Sequence, residues 1–525
     1  MLATACGRTP SFIPQDDAGA DGTSTGPMLE ESTGEPNCAD NPEVCVAELS
    51  LRRAVDILFV IDNSGSMGGE QGTLARSFGT FIDVLESQQV GANYRIGVTT
   101  SDSGGAIRAT SCRSRLYEFE SDGLFGYKDE RQRGCLDHCF LDSIDLSEPW
   151  LEKSNGETNL PDGVTMAQAL QCVGPQGISG FGLEAPLESM RQVVLDSDSG
   201  FLRNDALLAV IFVTDEADCS MTAENIDWLY TSGQVFWTTP ERASSGSCWK
   251  AGVTCLGGPG VYDDCVATDK ARDGEPTTAP DLSVLYPVQR YVDTLTELAA
   301  TKQLEGGQSE VLIAVLGGVP LDYPQTGQIV YADSPDIEFN WEYGIGPGCG
   351  QGTETLDDPP GIPPVRLRQF AESFATEGHN LFSVCADDYS VALQDIADAI
   401  GEVNTRACVG GCVHDLRYDV PGLQPSCYLA ETFADDSPDL QVGPCLVTEW
   451  GWDFPSPDVQ VCYRALTDVE ALTPNPTDDM SAQCVTVGSN LEIIVERRDG
   501  IPVPSGTAVG VRCDLDAPVG MSCPF

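Results

Sequence analysis

The chain has 525 residues, a net charge of −53 and 41% hydrophobic residues. That length suits two or three domains better than one core, and no apolar run reaches the roughly 18 residues that suggest a membrane span. The charge repels nucleic acid and anionic lipid headgroups, which excludes polyanion partners and leaves many carboxylates available to cations.

In chain order, the first feature is "MLATAC" (1–6), where Cys6 follows two small residues, Thr4 and Ala5. The stretch resembles the end of a bacterial lipoprotein signal, with Cys6 as the lipidated residue. A basic start and an apolar segment would then be encoded upstream of Met1; otherwise the match is accidental. Cysteine parity favours the first reading, because the chain has 21 cysteines and setting Cys6 aside leaves an even number that can pair completely. Residues 7–50 are rich in Gly, Pro, Asp, Ser and Thr and nearly devoid of aromatics, which reads as a flexible acidic tether.

Residues 51–405 alternate between two patterns. Apolar runs at 55–61 ("VDILFVI"), 94–100, 207–213 ("LLAVIFV"), 311–316 and 381–384 predict strands covered on both faces. Between them, Leu74, Phe78, Phe81, Ile82 and Leu85 mark one face of a helix over 72–86, with similar stripes at 184–194, 285–299, 366–374 and 389–400. The expected fold is α/β: a doubly wound, mostly parallel sheet flanked by helices, whose ligands sit beyond the carboxyl ends of the strands. Two Gly-rich stretches, about 101–172 and 219–280, hold four cysteines each and break the alternation. They read as disulfide-tied insertions at the ligand end. Residues 406–525 change character, with eight cysteines, many prolines and short alternating runs, and predict a small β-rich module. Cys408–Cys412 is the expected staple at that boundary.

Structural disulfides are the expected use of the cysteines, which implies an oxidising compartment. With three histidines in the whole chain, and neither "CLDHC" (135–139) nor "CVGGCVH" (408–414) at zinc-finger spacing, zinc clusters are excluded.

The stretch with chemistry is "VDILFVIDNSGSMGG" (55–69), where a buried strand ends in Asp62, Ser64 and Ser66. A carboxylate and two hydroxyls at alternate positions can converge on one point above a sheet and hold a hard cation. Asp215 follows the 207–213 strand directly and offers a second carboxylate. Glu216 and Asp218 beside it read as solvated loop charges. Asp-x-Ser-x-Ser after an apolar strand, followed later by a strand ending in Thr-Asp, resembles the von Willebrand factor type A domain. More narrowly, "GFLRNDALLAVIFVTDEADCS" (200–220) is similar to bacterial surface lipoproteins that carry this domain with a cysteine-rich tail.

The resemblance implies a metal-ion-dependent adhesion site for Mg²⁺, Mn²⁺ or Ca²⁺. In it Ser64 and Ser66 coordinate directly, Asp62 and Asp215 act largely through water, and a carboxylate from a protein partner completes the shell. The family adds a threonine from a later loop, but "QGISGFGLE" (176–184) has Ile178 there, with Ser179 as the nearest substitute. For catalysis, "SDSGG" (101–105) looks like a protease nucleophile at Ser103, yet His138, His379 and His414 lie in unsuitable contexts, and no other catalytic signature appears. Trp450 and Trp452 read as packing residues of the tail module.

The expected function is a non-enzymatic binding or adhesion protein, secreted or anchored to the outer membrane, at the bacterial cell surface or in the periplasm. The rival is a metal-free scaffold with a vestigial site, whose contacts come from the insertions or the tail.

Overall fold

The computed structural model describes residues 45–525 except 52–53, 88–92, 103, 121–131, 133, 205, 303–310, 351–359, 376–378, 418, 420–421, 434–436, 449–450, 469–476, 487, 499–500, 502–506, 518–522 and 524–525. The lipidation reading at Cys6, the tether as far as residue 44, Ser103 and Trp450 therefore lie outside the described residues.

The first strand, β1 (Cys45–Leu51), belongs to the C-terminal sheet, as described below. The α/β body begins with β2 (Ala54–Ile61), α1 (Gly68–Leu85) and β3 (Tyr94–Thr100). The first insertion follows and returns to the sheet through β4 (Leu151–Ser154), then α2 (Met166–Val173) and α3 (Pro186–Leu195). Next come β5 (Ala206–Val213), α4 (Val288–Thr301), β6 (Val311–Gly317), α5 (Val365–Glu372), β7 (Leu381–Ser383) and α6 (Ser390–Thr405). In space the order is β7-β6-β5-β2-β3-β4, with the two-residue strand Glu157–Thr158 beyond β4 at the edge; the sheet is parallel except for β4 and that last strand, which are antiparallel.

Both faces of β2 are covered, which explains its continuous apolar run. Val55, Ile57, Phe59 and Ile61 pack on α1, α2 and α6, whereas Leu58 and Val60 pack on α3, α4 and α5. Phe59 meets Phe78 and Phe81 of α1 edge to face, at centroid distances of 5.4 and 5.5 Å. The one polar residue in the run, Asp56, is fully buried and held by Arg203, whose Nη2 lies 2.6 Å from its Oδ1. Desolvation pushes the Asp56 carboxyl above its ordinary range, and Arg203 opposes that shift.

The insertions are tied by their own cysteines: Cys112–Cys135 and Cys139–Cys172 in the first, Cys219–Cys248 and Cys255–Cys265 in the second. A fifth bridge, Cys349–Cys385, joins the loops that follow β6 and β7. The first insertion does more than sit at the ligand end, since it supplies β4 to the sheet and α2 to the packing against α1.

Residues 406–517 form a β-rich module, as their alternating runs suggest, but two expectations fail there. Residues 45–50, placed in the tether, form β1, which pairs antiparallel with Ala508–Ala517 from Cys45 opposite Leu515 to Leu51 opposite Val509. Ala47, Leu49 and Leu51 enter the module core while Glu48 and Ser50 alternate away from it. The sheet is thus closed by a strand that precedes the α/β body.

The expected Cys408–Cys412 staple is not made: Cys408 bonds Cys484 and Cys412 bonds Cys523. Gly411, at φ +86°, turns the chain between them, so Cys408 pairs in strand register with Glu492 and Cys412 with Ala517. Trp452 meets Phe454 edge to face and lies under the Arg464 guanidinium.

Candidate functional site

Three parallel strands end at one level. Ile61 of β2 lies opposite Thr100 of β3 and Val213 of β5, so Ser101, Asp62 and Thr214 leave the sheet side by side. The backbone fixes this row: Asp62 N donates to Val213 O at 2.9 Å, and Ser101 N donates to Ile61 O at 3.1 Å. The Asp62 carboxylate accepts from Ser64 N at 2.8 Å and from Thr214 Oγ1 at 2.5 Å. The Ser64 and Ser66 hydroxyl oxygens stand 3.0 Å apart. Asp215 is only 2% exposed, and neither of its carboxylate oxygens has a hydrogen-bond partner. Ser66 lies near enough to favour the Asp215 anion, without reaching hydrogen-bond geometry.

Acid crowding sets the electrostatics. Burial first, then the charges of Asp62, Glu216 and Glu70, push the Asp215 carboxyl well above the usual carboxylate range. Glu216 is pushed up to about 8 by burial and then by Asp62. Asp62 itself is raised by burial, against the pull of the Thr214 and Ser64 hydrogen bonds. All of these shifts have the sign expected of carboxylates gathered without a counter-charge.

Two clamps hold the surrounding loops. Gln71 of α1 donates to Asp62 O at 2.8 Å and to Gly177 O at 2.7 Å, while its Oε1 accepts from the backbone N–H groups of Gln176 and Gly177. Asn63 Nδ2 donates to Asp102 Oδ2 at 2.8 Å, and Phe181 N donates to Asp102 Oδ1 at 2.7 Å. Gly180 N then donates to Asn63 O at 2.9 Å, and a Cβ on Gly180 would come within 2.6 Å of the Asn63 side chain, so glycine is required for this approach. Replacing Gln71 with methionine leaves four buried backbone groups without partners. We expect it to cost about 1–3 kcal/mol in urea unfolding, with no loss of secondary structure by circular dichroism.

Of the residues read from the sequence, Asp62, Ser64, Ser66 and Asp215 come together at these strand ends. Ile178 is buried and its N–H is bound to Glu118 O at 2.7 Å, so its position is fixed and offers no side-chain oxygen. Ser179 is exposed, with the neighbouring backbone at residue 180 bound to Asn63.

Glu216 and Asp218 are not solvated loop charges. Both are buried, and Asp218 pairs with buried Arg366 at 3.0 Å while accepting from Leu187 N and the Ser220 hydroxyl. Arg366 lies 148 residues away in sequence, and no local pattern announces it. Gln71, Asp102 and Glu184 were also missed; the one hint for Glu184 is that it shares a loop with Ile178. Of the histidines, His414 pairs with Asp516 and His379 lies near Glu372.

All the donors here are oxygens, which fits a hard divalent cation. Among the described residues, no three acids at these strand ends bring carboxylate oxygens within 4.8 Å of one another, so hydroxyls and water must complete any shell.

No protein-family model matches the chain, and no curated protein matches it. Solved structures do match. One is the open conformation of the pilus adhesin SpaC from Lactobacillus rhamnosus GG, 9% identical, matched over 91% of this chain and 43% of that one at a TM-score of 0.29. This chain therefore spans less than half of that protein, and so loose a likeness carries no argument about fold or function.

Proposed function

We propose that the chain is a non-enzymatic surface binding protein of the von Willebrand factor type A kind, which uses a divalent cation to capture an acidic group on a protein partner. The observation that carries this reading is Asp215: a buried carboxyl group with both oxygens unpartnered beside a second buried acid. Protonation would not satisfy it, because the added hydroxyl would still lack an acceptor. A cation would.

Ser64, Ser66, Asp62 and Asp215 are the residues that would hold Mg²⁺, Mn²⁺ or Ca²⁺, and the ion would supply a Lewis-acidic point for a partner's carboxylate. The chain's own part is positioning. Thr214 and the Ser64 N–H orient Asp62, and Gln71 locks the loops on either side. Nine disulfides among the described residues support folding in an oxidising compartment, and the charge of −53 disfavours nucleic acid as a partner. We place the protein at the bacterial surface or in the periplasm, with Cys6 as its membrane anchor.

The second reading, a metal-free scaffold, draws on Ile178, whose fixed, buried position denies the site one oxygen. Thermal unfolding in EDTA and in Mg²⁺ separates the two. At a hundredfold excess over the dissociation constant the cation should stabilise the fold by about 2.7 kcal/mol. Asp62→Ala should abolish that gain and keep the secondary structure. Wild-type protein that melts identically in EDTA and in millimolar Mg²⁺ or Mn²⁺ would leave the scaffold reading standing.

A further inference from the structure

We infer that the first insertion is a strut for the cation site, and that Arg115 is the positioning residue through which it acts. This rests on the cation reading above and adds no ligand to it; it assigns what holds the turn that carries the ligands.

Residues 174–178, which follow α2, belong to no helix or strand, yet all five are buried. Backbone polar groups placed like this need partners within the protein. Two side chains supply them. Gln71 of α1 takes the N–H groups of Gln176 and Gly177 and the Gly177 carbonyl. Arg115 takes the two preceding carbonyls: its Nη2 donates to Pro175 O at 3.0 Å and its Nη1 to Gln176 O at 3.4 Å.

Arg115 is placed by the insertion itself. It lies in a short 3₁₀ stretch, Cys112–Phe119, and is 7% exposed. Cys112–Cys135 fastens that stretch to the rest of the insertion, and Cys139–Cys172 fastens the insertion to the last turn of α2, just before Pro175. The Glu118 carboxylate accepts from Arg115 and from Arg108, so the buried guanidinium is paired and aimed. The Glu118 carbonyl then accepts the Ile178 N–H at 2.7 Å. The loop is thus bound to the insertion at three successive turns of its backbone: Pro175, Gln176 and Ile178.

The strut in turn holds the ligand turn. Gln71 spans from Gly177 O to Asp62 O, and Gly180 N donates to Asn63 O at 2.9 Å. A loop fixed by Arg115 therefore fixes the backbone at Asp62 and Asn63, and with it the directions of the Asp62, Ser64 and Ser66 side chains. The turn is formed before any ion arrives, so cation binding carries no ordering cost there. Arginine suits the task because its planar fork reaches two carbonyls and a carboxylate at once, whereas lysine presents a single nitrogen to all of them.

The test is calorimetric titration of the intact protein with MgCl₂, together with amide hydrogen exchange in EDTA, for wild type, Arg115→Met, Arg115→Lys and Asp62→Ala. Arg115→Met should weaken Mg²⁺ binding about tenfold, with Arg115→Lys between it and wild type. In EDTA it should also speed exchange at the Ser64 N–H, which is bonded to Asp62 Oδ1. An arginine that only stabilised the insertion would lower the melting temperature and leave both affinity and Ser64 exchange at wild-type values. Arg108 still pairs with Glu118 when Arg115 is lost, so no buried charge is stranded. If Arg115→Met nevertheless fails to fold, Arg115→Lys carries the same two measurements. Wild-type affinity and exchange in the folded Arg115 variants, with Asp62→Ala unable to bind, would overturn this inference and keep the cation reading. If wild type binds no Mg²⁺, both fall together.

Discussion

Replacing Arg366 with methionine should destabilise the α/β body by about 3–5 kcal/mol, the cost of leaving a buried partner charge without compensation. Arg366 Nε lies 3.0 Å from Asp218 Oδ2, and its Nη2 donates to Tyr286 O at 2.6 Å. Both members of the pair are nearly inaccessible to water. Asp218 also accepts from Leu187 N at the start of α3 and from Ser220, so the pair pins the loop that begins at Asp215 against a helix and against α5. Chemical denaturation measures the loss. The double variant Arg366→Met, Asp218→Asn should recover part of it, since the orphaned charge is then removed as well. An Arg366→Met protein as stable as wild type would contradict this.

Replacing Cys427 and Cys513 with alanine should cost the C-terminal module about 4–5 kcal/mol, because the bridge closes a loop approaching a hundred residues and removes much of the unfolded chain's freedom. The two cysteines face each other across paired strands and are 86 positions apart in sequence. In scanning calorimetry the module should then melt as a separate, earlier transition, with the α/β transition unmoved. A single transition moved to lower temperature would mean that the two parts unfold as one unit through β1, which connects directly into β2; an unchanged melt would contradict the expected cost.

How much of this was legible in the sequence depended on the range of the forces involved. The five parallel strands were readable because burial on both faces makes their runs largely apolar; "LLAVIFV", buried throughout, needs no partner to declare itself. Helix α1 was readable for a similar reason, since its stripe from Leu74 to Leu85 is a local period. The strand "CVAELSL" was not. Its alternation spans seven residues after a long low-complexity stretch, and its partner lies more than 450 residues away. Cysteine pairing failed in the same way, because a gap of four residues suggests a local bond while the strand register sends Cys408 and Cys412 to different partners. At the site, the ligand pattern of Asp62, Ser64 and Ser66 is local and was found. The burial of Glu184, Glu216 and Asp218 depends on loops from three strands and on Arg366, and no window of sequence contains that information.

Anomalous diffraction from crystals of the intact protein grown in Mn²⁺ tests whether a cation binds where Asp62, Ser64, Ser66 and Asp215 converge. One strong anomalous peak is expected, bounded by the Ser64 and Ser66 hydroxyls and the Asp62 and Asp215 carboxylates and absent from crystals of Asp62→Ala. No peak at that position in wild-type crystals, or a peak only at Asp468, Asp478 and Asp479, the acidic trio of the C-terminal module, would contradict it.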